Sequence, residues 1–450
     1  MSEENKAAST STALREPPRG WRRVFMLGPG LVWAASSVGV AELVFATRAG
    51  AIFGLALLWV PLVSLFFKYF ITELVGRYTI VTGEDVIAAF GRIRTKIGPV
   101  TLPAGWVLWL FWAFFIASVA GMSGIALTVG SALFAIYPGI PYVAWAVISL
   151  ALVGIILFIG TYRGLEYSSR ILMIVIVCFM FYAVLQRFPP MADVASGLVP
   201  RVPENSLREL IPLLGWSGAG AMGTIWFSLW TKASGRGAPG MDAAKSEENS
   251  DAIRGWISVN RIDLTVNMIL TAVLTVGFIL AGSIILHPIG FVPEGEGLGV
   301  ALARIAGDFY GPSAVIVFLI GVVGTLFSTL LADTDGLCRV AGGALHAQMH
   351  TKKPERRLYL VFLVVYIVTA GLFSTIITAP VLLLQITAII DTILLPVVGL
   401  MAIRICTKGF PERFKPKTTT IVFSYLSVLF FIFFIVLLVA AVIRGVDFSL

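Results

Sequence analysis

Eleven times the chain runs apolar for long enough to cross a bilayer. A helix needs about 20 apolar residues to span the hydrocarbon core. Stretches of that kind lie near 24–53, 55–80, 104–136, 142–161, 165–187, 208–231, 259–286, 311–338, 357–378, 380–404 and 419–444. In lipid each must satisfy its own backbone hydrogen bonds, so each is predicted to be a helix. Only 13% of the 450 residues are charged, against about a quarter in an ordinary soluble domain. No segment between the stretches could fold by itself in water. The fold class is an all-α polytopic membrane protein, with the lipid bilayer as its surroundings. In a soluble chain a net charge of +8 would suggest nucleic acid. Here it fits loops that face anionic lipid, and no nucleic-acid partner is expected.

Orientation follows from Lys and Arg. With the N-terminus inside, 26 of the 33 Lys and Arg fall on cytoplasmic segments, six fall outside, and Lys68 lies within a span. That bias predicts a cytoplasmic N-terminus, an odd number of spans and a C-terminus facing out. The expected location is a bacterial inner membrane. Residues 1–23 have no signal-peptide core and read as a disordered cytoplasmic tail. Residues 24–450 read as one transporter domain. Cys178, Cys338 and Cys406 lie in or at the ends of spans and form no CxxC, so they read as packing residues.

Spans one and six share an oddity. "AASSVGVAE" interrupts the first and "GWSGAGAMGT" the sixth, both near mid-membrane. Small and Gly-rich residues weaken a helix there. Unwound backbone at that depth persists only where it is buried or lines a cavity. Secondary transporters built from inverted repeats carry such breaks at their binding site. The halves here would be residues 24–187 and 208–404, with 419–444 as an extra span. The alternative is that the glycines only let helices pack closely.

"LGPGLVWAASSVGVAELVFATRAGAIFGLALLW", "ELVGRYTIVTGEDVIAAF", "GWVLWLF" and "GAGAMGT" resemble the Nramp family of divalent metal-ion transporters over about Arg23 to Arg404. The resemblance implies a LeuT-type fold, an inverted 5+5 repeat plus an eleventh span. It implies a divalent cation as substrate, no cofactor, and a monomer. The family's Asp-Pro-Gly-Asn motif falls on Gly39, Val40, Ala41 and Glu42, so Asp is replaced by Gly and Asn by Glu. Its Met-Pro-His motif falls on Met222, Gly223 and Thr224, keeping only the Met. The site residues thus implied are Gly39, Glu42, Ala219, Met222 and Thr224, with Thr387 on span ten. The acids that move protons on the family's third span have no counterpart in "WVLWLFWAFFIASVAGMSGIAL", and His287, His346 and His350 all lie outside span centres. Proton coupling is therefore expected to be weak or absent.

The residues themselves leave alternatives open. A carboxylate at Glu42, beside free carbonyls from Ser36 to Val40, could supply charge to a hard cation. It could equally pair with Arg48 or Lys68, or stay protonated. Met222 offers a thioether that favours Mn²⁺ or Fe²⁺ over Mg²⁺ or Ca²⁺, or it fills core. Asp391, with Asp263 and Asn267, forms a candidate proton or ion relay; a salt bridge is the other reading. Lys68 and Glu73 read as structural pairs, and Lys232 to Trp256 as a flexible cytoplasmic linker. The lost ligands also fit hydrated Mg²⁺, which sheds water reluctantly, or a small organic solute such as an amino acid. An enzyme using "ADTDG" would need more acidic clusters than this chain shows, and no charged ring suggests a channel.

Overall fold

The computed structural model describes residues 14, 16–18, 20, 39–160, 178–179, 182, 184–349 and 354–445. Most of the expected disordered tail, the carbonyls of Ser36 to Val38, and most of span five lie outside the described residues. Among the described residues nine helices are long and apolar enough to cross a membrane. They match the expected spans two to four and six to eleven. The second half of span one begins as a π-helix, Ala41–Ala46, and continues as an α-helix, Thr47–Phe53.

Burial sorts the spans. The most apolar part of span six, Leu207–Ala233, is 89% buried, whereas that of span eleven, Thr418–Ile443, is 28% buried. Span six is the axis of the molecule and span eleven a lipid-facing buttress. Span eleven packs on spans two and ten. Its Phe430 and Phe423 stack on Phe67 and Phe70 at 4.5 and 4.8 Å. Ser427 donates to the Phe67 carbonyl at 2.8 Å, a hydroxyl bridge of the kind that holds helices together where water exclusion cannot.

Close crossings rely on glycine. At Gly50 a Cβ would run into the backbone of Ile279 and Ser283 on span seven, and at Gly121 into the Thr387 side chain on span ten. Two elements outside the spans were not expected. An amphipathic helix, Gly297–Tyr310, precedes span eight. A short antiparallel hairpin pairs Thr95–Ile97 with Val100–Leu102.

The segment read as a flexible linker is instead docked. Ala238 donates to the Ile80 carbonyl at 2.7 Å, and Arg236 is buried against Asp263 at 2.9 Å. Its mixture of Gly, Pro and charges looks like linker, but buried partners on spans two and seven hold it. Cys338 and Cys406 are buried, Cys178 is exposed, and all three are free thiols.

Candidate functional site at two broken helices

Span six divides into Leu207–Trp216 and Ala221–Ala233. The four residues between them include Gly218 at φ +80°, a backbone region in which only glycine is relaxed. Breaking a helix exposes carbonyls at one end and amides at the other. Here other helices supply both sets of partners. On span two (Trp59–Thr82), Ser64 donates to the Leu214 carbonyl at 2.6 Å. One turn on, the Lys68 ammonium donates to the Gly215 and Ser217 carbonyls at 2.6 and 2.8 Å. On span ten (Pro380–Thr407), Asp391 receives the Met222 amide at 3.2 Å and the Trp216 indole N–H at 3.1 Å. A cation thus sits at the helix C-terminus and an anion at the helix N-terminus, each complementing the local dipole. Gly220 makes room for this: a Cβ there would collide with the Asp391 carboxylate.

The break in span one is organised differently. Glu42 is fully buried and folds back onto its own helix start, accepting the Gly39 amide at 3.0 Å. Its other oxygen lies 3.2 Å from the Thr275 hydroxyl of span seven, which also lies 2.8 Å from the Thr271 carbonyl. Glu42 therefore caps its own helix and docks it on span seven. Gly39 also has a steric reason to be glycine. A Cβ there would run into the Thr329 side chain of span eight.

Between the breaks lies a cavity of about 70 Å³, room for several water molecules. Of the residues expected at the site, it brings together Ala219, Met222, Thr387 and Asp391. Gly39, Glu42, Thr224, Asp263 and Asn267 do not line it. Thr224 bonds the Gly220 carbonyl of its own helix at 3.1 Å. Asp263 pairs with Arg236 and accepts from Asn267 at 3.1 Å, binding span seven to the docked segment. Lys68 and Glu73 do not pair with each other: Glu73 takes Arg77 at 2.5 Å and Arg261 at 2.8 Å.

The acids of "ADTDG" on span eight stand out in the sequence as intramembrane polar residues, whereas two other cavity features, Met122 and Trp226, do not. Asp333 of span eight lines the cavity, and its buried Oδ1 has no hydrogen-bond partner. Its neighbour in "ADTDG", Asp335, is held by Arg339 at 2.7 Å and Tyr359 at 2.8 Å. Met122 of span three adds a second thioether to the lining, and Trp226 leaves its indole N–H unpartnered at the wall. Asp333 carried a signal, an acid deep in an apolar run, whereas Met122 carried none. Among the described residues no three His, Cys, Asp or Glu gather closely enough to enclose a metal ion. The chemistry on offer is two carboxylates, hydroxyls, carbonyls and two thioethers around a small space.

At the N-terminal end of span six, Glu209 forms a buried fork with Arg48 of span one, at 2.8 and 3.3 Å. Gln385 of span ten donates to the same carboxylate at 3.0 Å. Arg48 also reaches Glu294, at 3.3 Å, in the segment that follows span seven. This network joins spans one, six and ten.

The comparisons agree with this architecture. A manganese transporter of Eremococcus coleocola has a similar structure, with a TM-score of 0.69 and 18% identity over 98% of this chain and 92% of that one. Mhp1, a nucleobase-cation-symport-1 family transporter, superposes with a TM-score of 0.55 and 15% identity over 87% of this chain and 79% of its own. MhsT, solved with L-phenylalanine, gives 0.50 and 14% over 93% and 99%. At such identities these likenesses establish a LeuT-type fold, with its inverted repeat, and no more. In sequence, an uncharacterised protein of Pasteurella multocida is 24% identical over 367 residues, 78% of each chain. The profile described as natural resistance-associated macrophage protein-like matches residues 30–442. That match takes in both breaks, the helices that cap them and the buttress, and this integral membrane protein belongs to the Nramp family.

Proposed function

We propose that the protein is a membrane transporter of divalent metal cations, and that the cation rests in the cavity at the break of span six. One observation carries this reading. In transporters of this architecture the head of a broken half-helix is where an anionic substrate group binds. Here Asp391 already fills that place with the chain's own carboxylate. An amino acid would bring a second carboxylate to an occupied position, whereas a cation finds a negative one. Asp333, with its unpartnered oxygen on the same cavity, adds to the attraction.

The cation keeps part of its water in this reading. The carboxylates come from spans eight and ten, no third acid joins them among the described residues, and the cavity has room for water. A partly hydrated ion meets oxygen through its waters, while Met222 and Met122 favour Mn²⁺ or Fe²⁺ over Mg²⁺ where contact is direct. Span three, Trp106–Ile136, has no ionisable side chain, so proton coupling through it has no carrier. The Lys and Arg bias places the N-terminus in the cytoplasm in the same reading.

The test is uptake. Purified protein in liposomes should pass Mn²⁺ to a trapped, quenchable dye. Asp391→Asn keeps one acceptor for the capping bonds and removes the charge. Uptake should fall at least about tenfold, since losing a charge contact in a desolvated site costs more than about 1.4 kcal/mol. Wild-type uptake by folded Asp391→Asn would end the assignment.

A further inference from the structure

Lys68 is a charged side chain that the transport reading leaves without a task. It is 1% exposed at mid-span. A buried ammonium is tolerated only when it is hydrogen-bonded and neutralised. Its bonds go to the Gly215 and Ser217 carbonyls, at the end of the first half of broken span six. The charges acting on it are Asp391, from span ten, and Glu42, from span one. Unwound carbonyls at a half-helix C-terminus, with carboxylates nearby, are the setting in which transporters of this architecture hold a dissolved monovalent cation.

We propose that Lys68 is a tethered counter-cation: its ammonium fills a monovalent-cation site formed by the Gly215 and Ser217 carbonyls within the field of Asp391 and Glu42. The wild-type protein then needs no Na⁺ at this position. Shortening the side chain leaves the carbonyls and the acids in place and opens the site to Na⁺. A lysine that served only as packing would leave nothing for Na⁺ to bind.

The experiment needs no divalent metal, so its failure is distinct from failure of the transport reading. Full-length protein, Lys68→Ala and Lys68→Met are purified in detergent with EDTA. Thermal unfolding is followed in sodium chloride and in N-methyl-D-glucamine chloride at equal ionic strength. Wild type should melt at the same temperature in both. Lys68→Ala should melt lower in N-methyl-D-glucamine and recover by several degrees in Na⁺, rising with the logarithm of its concentration as a binding ion requires. Lys68→Met, whose chain still fills the space, should fall without recovering. A Na⁺-dependent wild type overturns the proposal. So does a Lys68→Ala melt that Na⁺ does not move, or Lys68→Ala protein that cannot be recovered folded in Na⁺.

Discussion

The two breaks use charge in opposite ways. In span six, both exposed helix ends are closed from a distance, by Lys68 on span two and Asp391 on span ten. In span one, the described end is closed by its own residue, Glu42, which reaches three positions back and leans on Thr275. A break capped from a distance ties its geometry to the positions of other helices, and any motion of those helices reaches the site. The span-one cap is local, and Thr275 docks it on span seven. The cavity lies against the first cap and not the second: Asp391 lines it and Glu42 does not.

The harshest way to disturb this contrast is to crowd the distant cap. Gly220→Ala would put a methyl where the Asp391 carboxylate lies. Moving the carboxylate costs its bonds to Met222 and Trp216 together, and hydrogen bonds to a charged group are worth about 1.5–3 kcal/mol each. Uptake should fall by at least about a hundredfold, with unfolding at visibly lower temperature. Normal uptake and an unchanged melting temperature would show that the cap is not held as described.

Glu42→Gln probes the other break, with a smaller expected effect. The amide oxygen can still take the Gly39 N–H, and burying an amide is easier than burying an ion. One charge-assisted bond is lost in exchange, so stability should change by no more than about 1–2 kcal/mol. Uptake should stay within about threefold of wild type, below the 1.4 kcal/mol that makes a factor of ten. Folded Glu42→Gln with no uptake would return Glu42 to the cation's path and dissolve the distinction between the breaks.

That expectation differs from what the sequence invites. "GVAE" puts a carboxylate at an interrupted span, and an intramembrane acid is by default a functional suspect. Periodicity and spacing cannot say which way it turns. The answer depends on Thr275, 233 positions away, and on Thr329, whose side chain occupies the space beside Gly39. The nine described spans were legible because lipid imposes a length and an apolar face on each. The span-six break was legible because its glycines lie within an otherwise continuous apolar run. The roles of Lys68 and Asp333 were not: the first is fixed by carbonyls nearly 150 residues on, the second by the partner its oxygen lacks. Asp391 was singled out as a polar residue on span ten, but its contact with the head of the second half-helix is a product of packing.

The mildest perturbation leaves both caps intact and changes only the wall between them. Met222 lies beside Asp391 in the chain's folded arrangement, its amide bound to that carboxylate while its side chain lines the cavity. Met222→Ala removes a thioether and no charge, and the backbone amide still caps Asp391. Overall flux should therefore survive, and what changes is preference. A soft sulfur favours Mn²⁺ and Fe²⁺ over Mg²⁺, which demands oxygen and holds its waters. Without it the ratio of Mn²⁺ to Mg²⁺ uptake should drop by about three- to tenfold, on the order of 1 kcal/mol. Met122 remains in the cavity lining, so the loss should deepen in the double variant with Met122→Ala. The measurement is a competition panel in liposomes, with Mg²⁺ titrated against Mn²⁺ influx. An unchanged ratio in both variants would mean that neither sulfur touches the ion. The cation would then cross wrapped in its water, and discrimination would rest on charge and size at the span-six break alone.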